Sequence, residues 1–290
     1  MNNPSVSQFA SIRGLRYHLR RWPAAGAPKV VLLHGWMDVS ASFQFLVDAL
    51  ERDWDVYAPD WRGYGLTEWG KSDCYWFPDY LADLDSILDL VDSANPINLV
   101  GHSLGGNVAA LYAGARPQRV GRFANLEGFG MGPTKPEQAP KRYARWLDEL
   151  RDRPRLRAYA SYGELANRLQ VANRRLTRDK AEFLARHWGE EQEGKGVVLR
   201  GDPAHKIVNP VLYRYEEALA CWRGVTAPVL WVEGEHSETP TRLALGGDAI
   251  AERRAAFRDL RHVVVRDAGH MLHHDQPKAV AALLEEFLAR

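Results

Sequence analysis

Cysteine is nearly absent from this 290-residue chain: there are two, Cys74 and Cys221, far apart and in no CxxC pair or Cys/His cluster. That excludes a disulfide scaffold and a zinc finger, and the expected setting is reduced and cytoplasmic. Net charge is nearly absent too, with 38 Lys and Arg against 37 Asp and Glu. Such a balance leaves no electrostatic footprint for nucleic acid or for an anionic membrane. No run of about 18 apolar residues occurs, so no membrane span is expected. The nearest approach, residues 98–115, is interrupted by His102, Ser103, Asn107 and four glycines. The opening MNNPSVSQF has neither a basic region nor an apolar core, and no secretory signal is expected there. Repeats and low-complexity tracts are missing. The chain is long and apolar enough to bury a substantial core without a staple, a metal or a cofactor.

What is present is alternation. Phe9–Arg13 and Leu15–Trp22 read as a hairpin around Gly14, with Leu15, Tyr17 and Leu19 alternating against Arg16, His18 and Arg20. The run Val30–Leu33 is continuous and aliphatic, as in a strand covered on both faces. Trp54–Ala58, Ile97–Val100, Pro228–Val232 and His262–Val265 share that character, and Val120–Leu126 is a less clean sixth. Helical spacing lies between them: Phe45, Leu46, Ala49 and Leu50, then Leu81, Leu84, Leu88 and Val91, then Val108–Ala115, and finally Ala279–Leu288. Strands alternating with helices imply an α/β fold with a doubly wound, mostly parallel sheet.

The alternation breaks over residues 132–223. This stretch opens with the turn-rich GPTKPEQAP and carries helix-like apolar faces with little strand signal. It reads as a helical cap inserted between a first core part, residues 1–131, and a second, residues 224–290. From Lys135 to Arg186 it holds fourteen Lys and Arg against seven Asp and Glu, an asymmetry hidden by the near-neutral total. A basic lid of this kind steers anions or is a solvated face, and the second is the commoner use.

The chemistry is concentrated in Gly101-His102-Ser103-Leu104-Gly105, a G-x-S-x-G between the strand INLV and the helix NVAALYA. Strand, sharp turn and helix are the setting in which a serine hydroxyl is held out above a sheet. The backbone N–H of Leu104, at the helix N-terminus, is one expected oxyanion donor. The second is the N–H of Trp36, in the loop Leu33-His34-Gly35-Trp36 after the first central strand. His34 reads as a brace for that loop on the floor of the substrate pocket. The general base should be a histidine on a loop at the same sheet edge, and His270, five residues after Val265, has that place. His273 and His274 compete with it on proximity alone and read as polar supports.

Taken in order, HGW, DWRGYG, GHSLGG and AGH resemble the α/β-hydrolase superfamily along the whole chain. The resemblance implies a Ser–His–acid triad and no metal or cofactor. It gives the Asp60–Gly65 loop a structural part only. In most members the acid is an aspartate after the strand that follows the cap, and here that position is Ser237. Glu127, ending the strand before the cap, resembles the placement used by a subset of the superfamily, including many haloalkane dehalogenases; Glu238 is the alternative acid. A serine nucleophile excludes the alkyl-enzyme chemistry of dehalogenases and epoxide hydrolases, which attack with aspartate. The expected activity is therefore cleavage of carboxylic esters with small or medium apolar acyl groups. Phe129, Tyr143 and Trp146, with Trp36 and Leu104, are expected to wall the pocket. The same machinery also serves thioesters, lactones, carbon–carbon bonds and perhydrolysis, and a non-catalytic ligand receptor is a third class.

Overall fold

The computed structural model describes residues 3–289. Strands β1 (Val6–Ile12) and β2 (Leu15–Trp22) form the expected antiparallel hairpin. Arg13 and Gly14 turn it, both at positive φ (47° and 80°), the geometry that follows the twist of the flanking strands. Next come β3 (Lys29–Leu33), the single helical turn α1 (Gln44–Val47), β4 (Asp55–Pro59) and α2 (Phe77–Val91). The apolar repeat at Phe45–Leu50 thus yields one α-turn after a 3₁₀ turn, Ser40–Phe43, and no longer helix. Strand β5 (Ile97–His102) runs into α3 (Leu104–Ala115), and β6 (Val120–Leu126) follows.

The inserted stretch then holds α4 (Ala139–Arg151), β7 (Ala158–Tyr159), α5 (Tyr162–Ala172), α6 (Arg178–Trp188), β8 (Gly189–Gln192) and β9 (Gly196–Leu199). The three strands pair in a small antiparallel sheet of order β7-β9-β8, which corrects the expectation of an all-helical insertion. A segment such as Gly189-Glu-Glu-Gln192 carries no apolar alternation, so its pairing is set by the tight turn at Gly194 and Gly196, both at positive φ. Leu165, Leu169, Ala181, Leu184 and Val197 give this stretch an apolar cluster of its own. Helix α7 (Tyr215–Arg223) behaves differently: it packs on α3, and Tyr215, Ala218, Leu219 and Trp222 belong to the main core.

The chain closes with β10 (Val229–Gly234), the short α8 (Thr239–Arg242), α9 (Gly247–Ala255), β11 (Leu260–Val265), α10 (Leu272–Asp275) and α11 (Pro277–Leu288). Eight strands form one sheet in the order β1-β2-β4-β3-β5-β6-β10-β11. The pairings from β4 to β11 are parallel, and β2 joins β4 antiparallel. The continuous apolar runs serve two cores. Val31, Leu33, Leu99, Phe123 and Trp231 face α2, α3 and α7, whereas Val30, Leu32, Val100, Ala124 and Leu230 face α1 and α11. No helix among the described residues is long and apolar enough to cross a membrane, and both cysteines are free thiols.

The loop after β4 is structural, as expected. Arg62 lies against Asp83 of α2, its guanidinium NH2 2.6 Å from Oδ1, and the Tyr17 hydroxyl donates to Asp83 Oδ2 at 2.8 Å. Asp60 accepts from the Ser40 and Leu66 backbone and bonds His18 at 2.7 Å. These buried contacts fix the carboxyl edge of the sheet next to the loop after β3, whose His34 bonds Trp61.

Candidate active site

Ser103 sits between β5 and α3 at φ 51° and ψ −113°, a conformation that costs a non-glycine residue energy and is held by its surroundings. Ser103 N–H donates to Leu126 O at 2.8 Å, and Asn107 N–H, one turn on, donates to Ser103 O at 2.9 Å. The small neighbours explain how the turn packs. A Cβ on Gly101 would stand 2.5 Å from Gly105 O, and one on Gly105 would stand 2.1 Å from Leu33 O. Only glycine lets the strand, the helix and β3 approach this closely. The serine is left partly exposed at the carboxyl end of β5.

Three segments meet at this hydroxyl. His270 Nε2 lies 3.1 Å from Ser103 Oγ. On the far side of the ring, His270 Nδ1 lies 3.0 Å from Glu127 Oε2 and 2.8 Å from Thr239 Oγ1. Glu127 is itself cradled: Gly234 N–H donates to Oε1 at 2.8 Å, and the Ser237 hydroxyl donates to Oε2. Its backbone stands at φ 62°, just past β6, with Asn125 bracketing the turn through Gly128 N–H and C=O. That positive φ swings the carboxylate back under the β10–α8 loop, a direction that regular strand geometry would not give.

Burial pushes the Glu127 carboxyl up, to about 7, against the bonds from Ser237 and Gly234 that favour its charge. Burial, aided by the Arg242 guanidinium, holds the His270 imidazole down at about 4. The imidazole is therefore neutral at neutral pH, the form that accepts a proton. Arg242 also donates to Thr239 Oγ1 at 3.1 Å, which leaves that hydroxyl proton free to turn elsewhere.

Gly35 rests on the elbow: a Cβ there would be 3.3 Å from Ser103 Cβ. The next residue, Trp36, is half exposed, and its indole N–H donates to His205 O at 3.3 Å. Leu104 is the first residue of α3. Two expected pocket residues lie elsewhere. His34 is fully buried, with Nδ1 donating to Gly35 O at 2.8 Å and Nε2 accepting from Trp61 N–H at 2.9 Å. It braces the loop and lines no pocket. Phe129 is 1% exposed and packs edge-on against Trp231, so its ring belongs to the main core. Its aromatic surface is taken up by β10, the next strand in the sheet. Tyr143 is half exposed on α4, a helix with no buried residue, and Trp146 on the same helix is partly buried. Glu238 is exposed at the start of α8 and is not among the partners of His270.

Ser237 and Thr239 are the contacts that sequence reasoning missed. Ser237 was the departure from pattern, and its hydroxyl donates to Glu127 Oε2. No sequence signal marks Thr239 beyond its position two residues later.

The α/β-hydrolase fold family model matches residues 28–277, and the chain belongs to that family. A serine hydrolase-like protein from Danio rerio is 28% identical over 92% of this chain and 82% of its own length. The human serine hydrolase-like protein 2 is 22% identical over 93% of this chain and 89% of its own. Among solved structures, a thioesterase domain from the curacin biosynthetic pathway superposes with TM-score 0.87 at 22% identity, covering 97% of this chain and 99% of that one. An esterase from Mycobacterium tuberculosis gives TM-score 0.74 at 20% identity over 100% and 93% of the two chains. At these identities the structural likenesses speak for the fold.

Proposed function

We propose that this protein is a serine hydrolase that cleaves carboxylic esters through an acyl-enzyme, with Ser103, His270 and Glu127 as its triad. The observation that carries the reading is the unbroken contact chain from Ser103 Oγ through His270 Nε2 and Nδ1 to Glu127 Oε2, at 3.1 and 3.0 Å, on a strained strand-to-helix turn. Nothing in that chain needs a cofactor.

In the first half-reaction the Ser103 hydroxyl gives its proton to His270 Nε2 as Oγ attacks the acyl carbon. The ester carbonyl becomes an alkoxide, which the N–H groups of Leu104 and Trp36 are placed in sequence to receive. The C–O bond to the alcohol breaks as His270 returns the proton to the leaving oxygen. Water then repeats the cycle: His270 takes its proton as the water oxygen bonds the acyl carbon, the acyl–serine bond breaks as His270 returns the proton to Ser103 Oγ, and the carboxylic acid leaves. Glu127 keeps Nδ1 as the protonated nitrogen and steadies the imidazolium each time it forms. Ser237 and Gly234 hold the carboxylate in place for this work. The partly exposed Trp36 and Leu104 favour an apolar acyl group beside the serine.

Wild-type protein should hydrolyse short and medium p-nitrophenyl esters, and Ser103→Ala should abolish turnover while leaving the circular dichroism and melting curve intact. Wild-type protein inert on esters, thioesters and lactones alike would overturn the proposal. A panel spanning these three bonds and several chain lengths also ranks the substrates.

A further inference from the structure

Behind the candidate triad lies a second set of side chains that the esterase chemistry does not use. Asp38, His102, His273 and His274 are at most 2% exposed. Asp38 Oδ2, His102 Nδ1, both ring nitrogens of His273 and His274 Nε2 are buried without a hydrogen-bond partner. Buried polar atoms are nearly always satisfied, so this concentration in one place calls for a reason. The ligand atoms of Asp38, His102 and His273 lie within 4.8 Å of one another. Small side-chain rotations bring such a group to the ~2 Å bond lengths of a shared ion.

The local bonding leaves the right atoms available. Asp38 Oδ1 is taken by Val39 N–H, at 2.8 Å, and by the Ser42 hydroxyl, so Oδ2 is the free oxygen. His102 Nε2 donates to the His270 backbone carbonyl at 2.9 Å, which makes Nδ1 the lone-pair nitrogen. A backbone carbonyl holding one ring N–H is how ligating histidines are commonly oriented. His273 stacks obliquely between its neighbours, 4.5 Å from the His102 ring and 4.2 Å from that of His274. Among the described residues no side-chain cation pairs with Asp38. The nearby Lys180 ammonium is engaged with the His274 carbonyl at 2.5 Å.

We propose that Asp38, His102 and His273, flanked by His274, form a buried binding site for a divalent transition-metal ion of the zinc class. One carboxylate oxygen and two imidazole nitrogens suit a borderline ion better than Ca²⁺ or Mg²⁺, which favour oxygen alone. The ion would tie together the loop carrying Trp36, the turn carrying Ser103 and the segment carrying His270. His102 would act as a positioning residue, through its bond to the His270 carbonyl.

The test uses the full chain, stripped with a chelator and titrated with Zn²⁺. One ion should bind per chain, and saturation should raise the Tm by about 5 °C. Co²⁺ should give the intense visible absorption of a four- or five-coordinate nitrogen–oxygen site. Asp38→Asn and His273→Gln should each weaken binding on the order of a hundredfold. His236→Gln, in the exposed trio Glu235, His236 and Asp267, should leave binding unchanged, as should His270→Ala. If either cluster variant fails to fold, the wild-type Co²⁺ spectrum and these two control variants still decide. The proposal is overturned by no saturable binding, by an octahedral Co²⁺ spectrum, or by loss of binding in His236→Gln or His270→Ala.

Discussion

Ser237 is the residue on which the sequence and the site turn. It occupies the place where most relatives of this fold put the triad aspartate, and it donates instead to a glutamate from a different strand. Glu127→Gln should therefore lower kcat by on the order of 10⁴, with KM little changed, as loss of a triad carboxylate does. Glu238→Gln, a change at an exposed side chain, should leave steady-state kinetics at wild type. The reverse ranking would assign the acid to Glu238. Ser237→Ala removes a donor to a charged oxygen, and such bonds are worth ~1.5–3 kcal/mol. The expected result is a tenfold or greater fall in kcat/KM. The sign of the accompanying pH shift follows from the chemistry: without that donor the charged carboxylate is less favoured, so its pKa rises above about 7. The acid limb of the kcat/KM profile should move to higher pH.

At the scale of elements, two devices set the site: the packed elbow and the anchored edge of the sheet. Gly105→Ala would press a methyl group on Leu33 O, 2.1 Å away, and should destabilise the fold by about 3 kcal/mol, read from a denaturant midpoint. Asp83→Ala would strip a buried guanidinium and the Tyr17 hydroxyl of their partner and cost ~3–5 kcal/mol. A variant of wild-type stability would show that α2 does not depend on that contact. The strands, the elbow and His270 were legible because each rests on local pattern: continuous apolar runs, a G-x-S-x-G between strand and helix, a histidine after the last strand. The small sheet in the insertion was not, because strands of two to four residues, one reading Gly-Glu-Glu-Gln, have no periodicity to read. Phe129 was misplaced, and His34, right as a brace, was wrong as a pocket residue, for another reason. Aromatic and imidazole rings near a nucleophile look alike in sequence whether they face substrate or core, and only the packing of Trp231 and Trp61 decides. Thr239 reaches His270 across 31 positions, a contact that no local rule encodes.

Across the whole molecule, buried histidines dominate the response to acid. Burial holds His34, His187 and His270 down at about 4, and His205 and His274 at about 3, against 6.5 for a free imidazole. Between those values the unfolded chain binds protons that the folded chain does not. Stability therefore rises with pH across that window and is lost as pH falls through it. Burial also holds His102 and His273 well below the ordinary value; Asp38 and Glu127, both raised to about 7, act in the opposite sense, two groups against these seven histidines. In chelator-containing buffer the Tm should drop steadily from pH 7 to pH 4.5, and a Tm that holds or climbs toward acid would refute this balance. The same fold carries the central claim, that Ser103 is the nucleophile. It is tested most directly by treating the protein with a fluorophosphonate and measuring intact and peptide masses. A single adduct on the peptide containing Ser103, absent from Ser103→Ala and strongly slowed in His270→Ala, is the predicted result; no adduct, or an adduct on another residue, would contradict it.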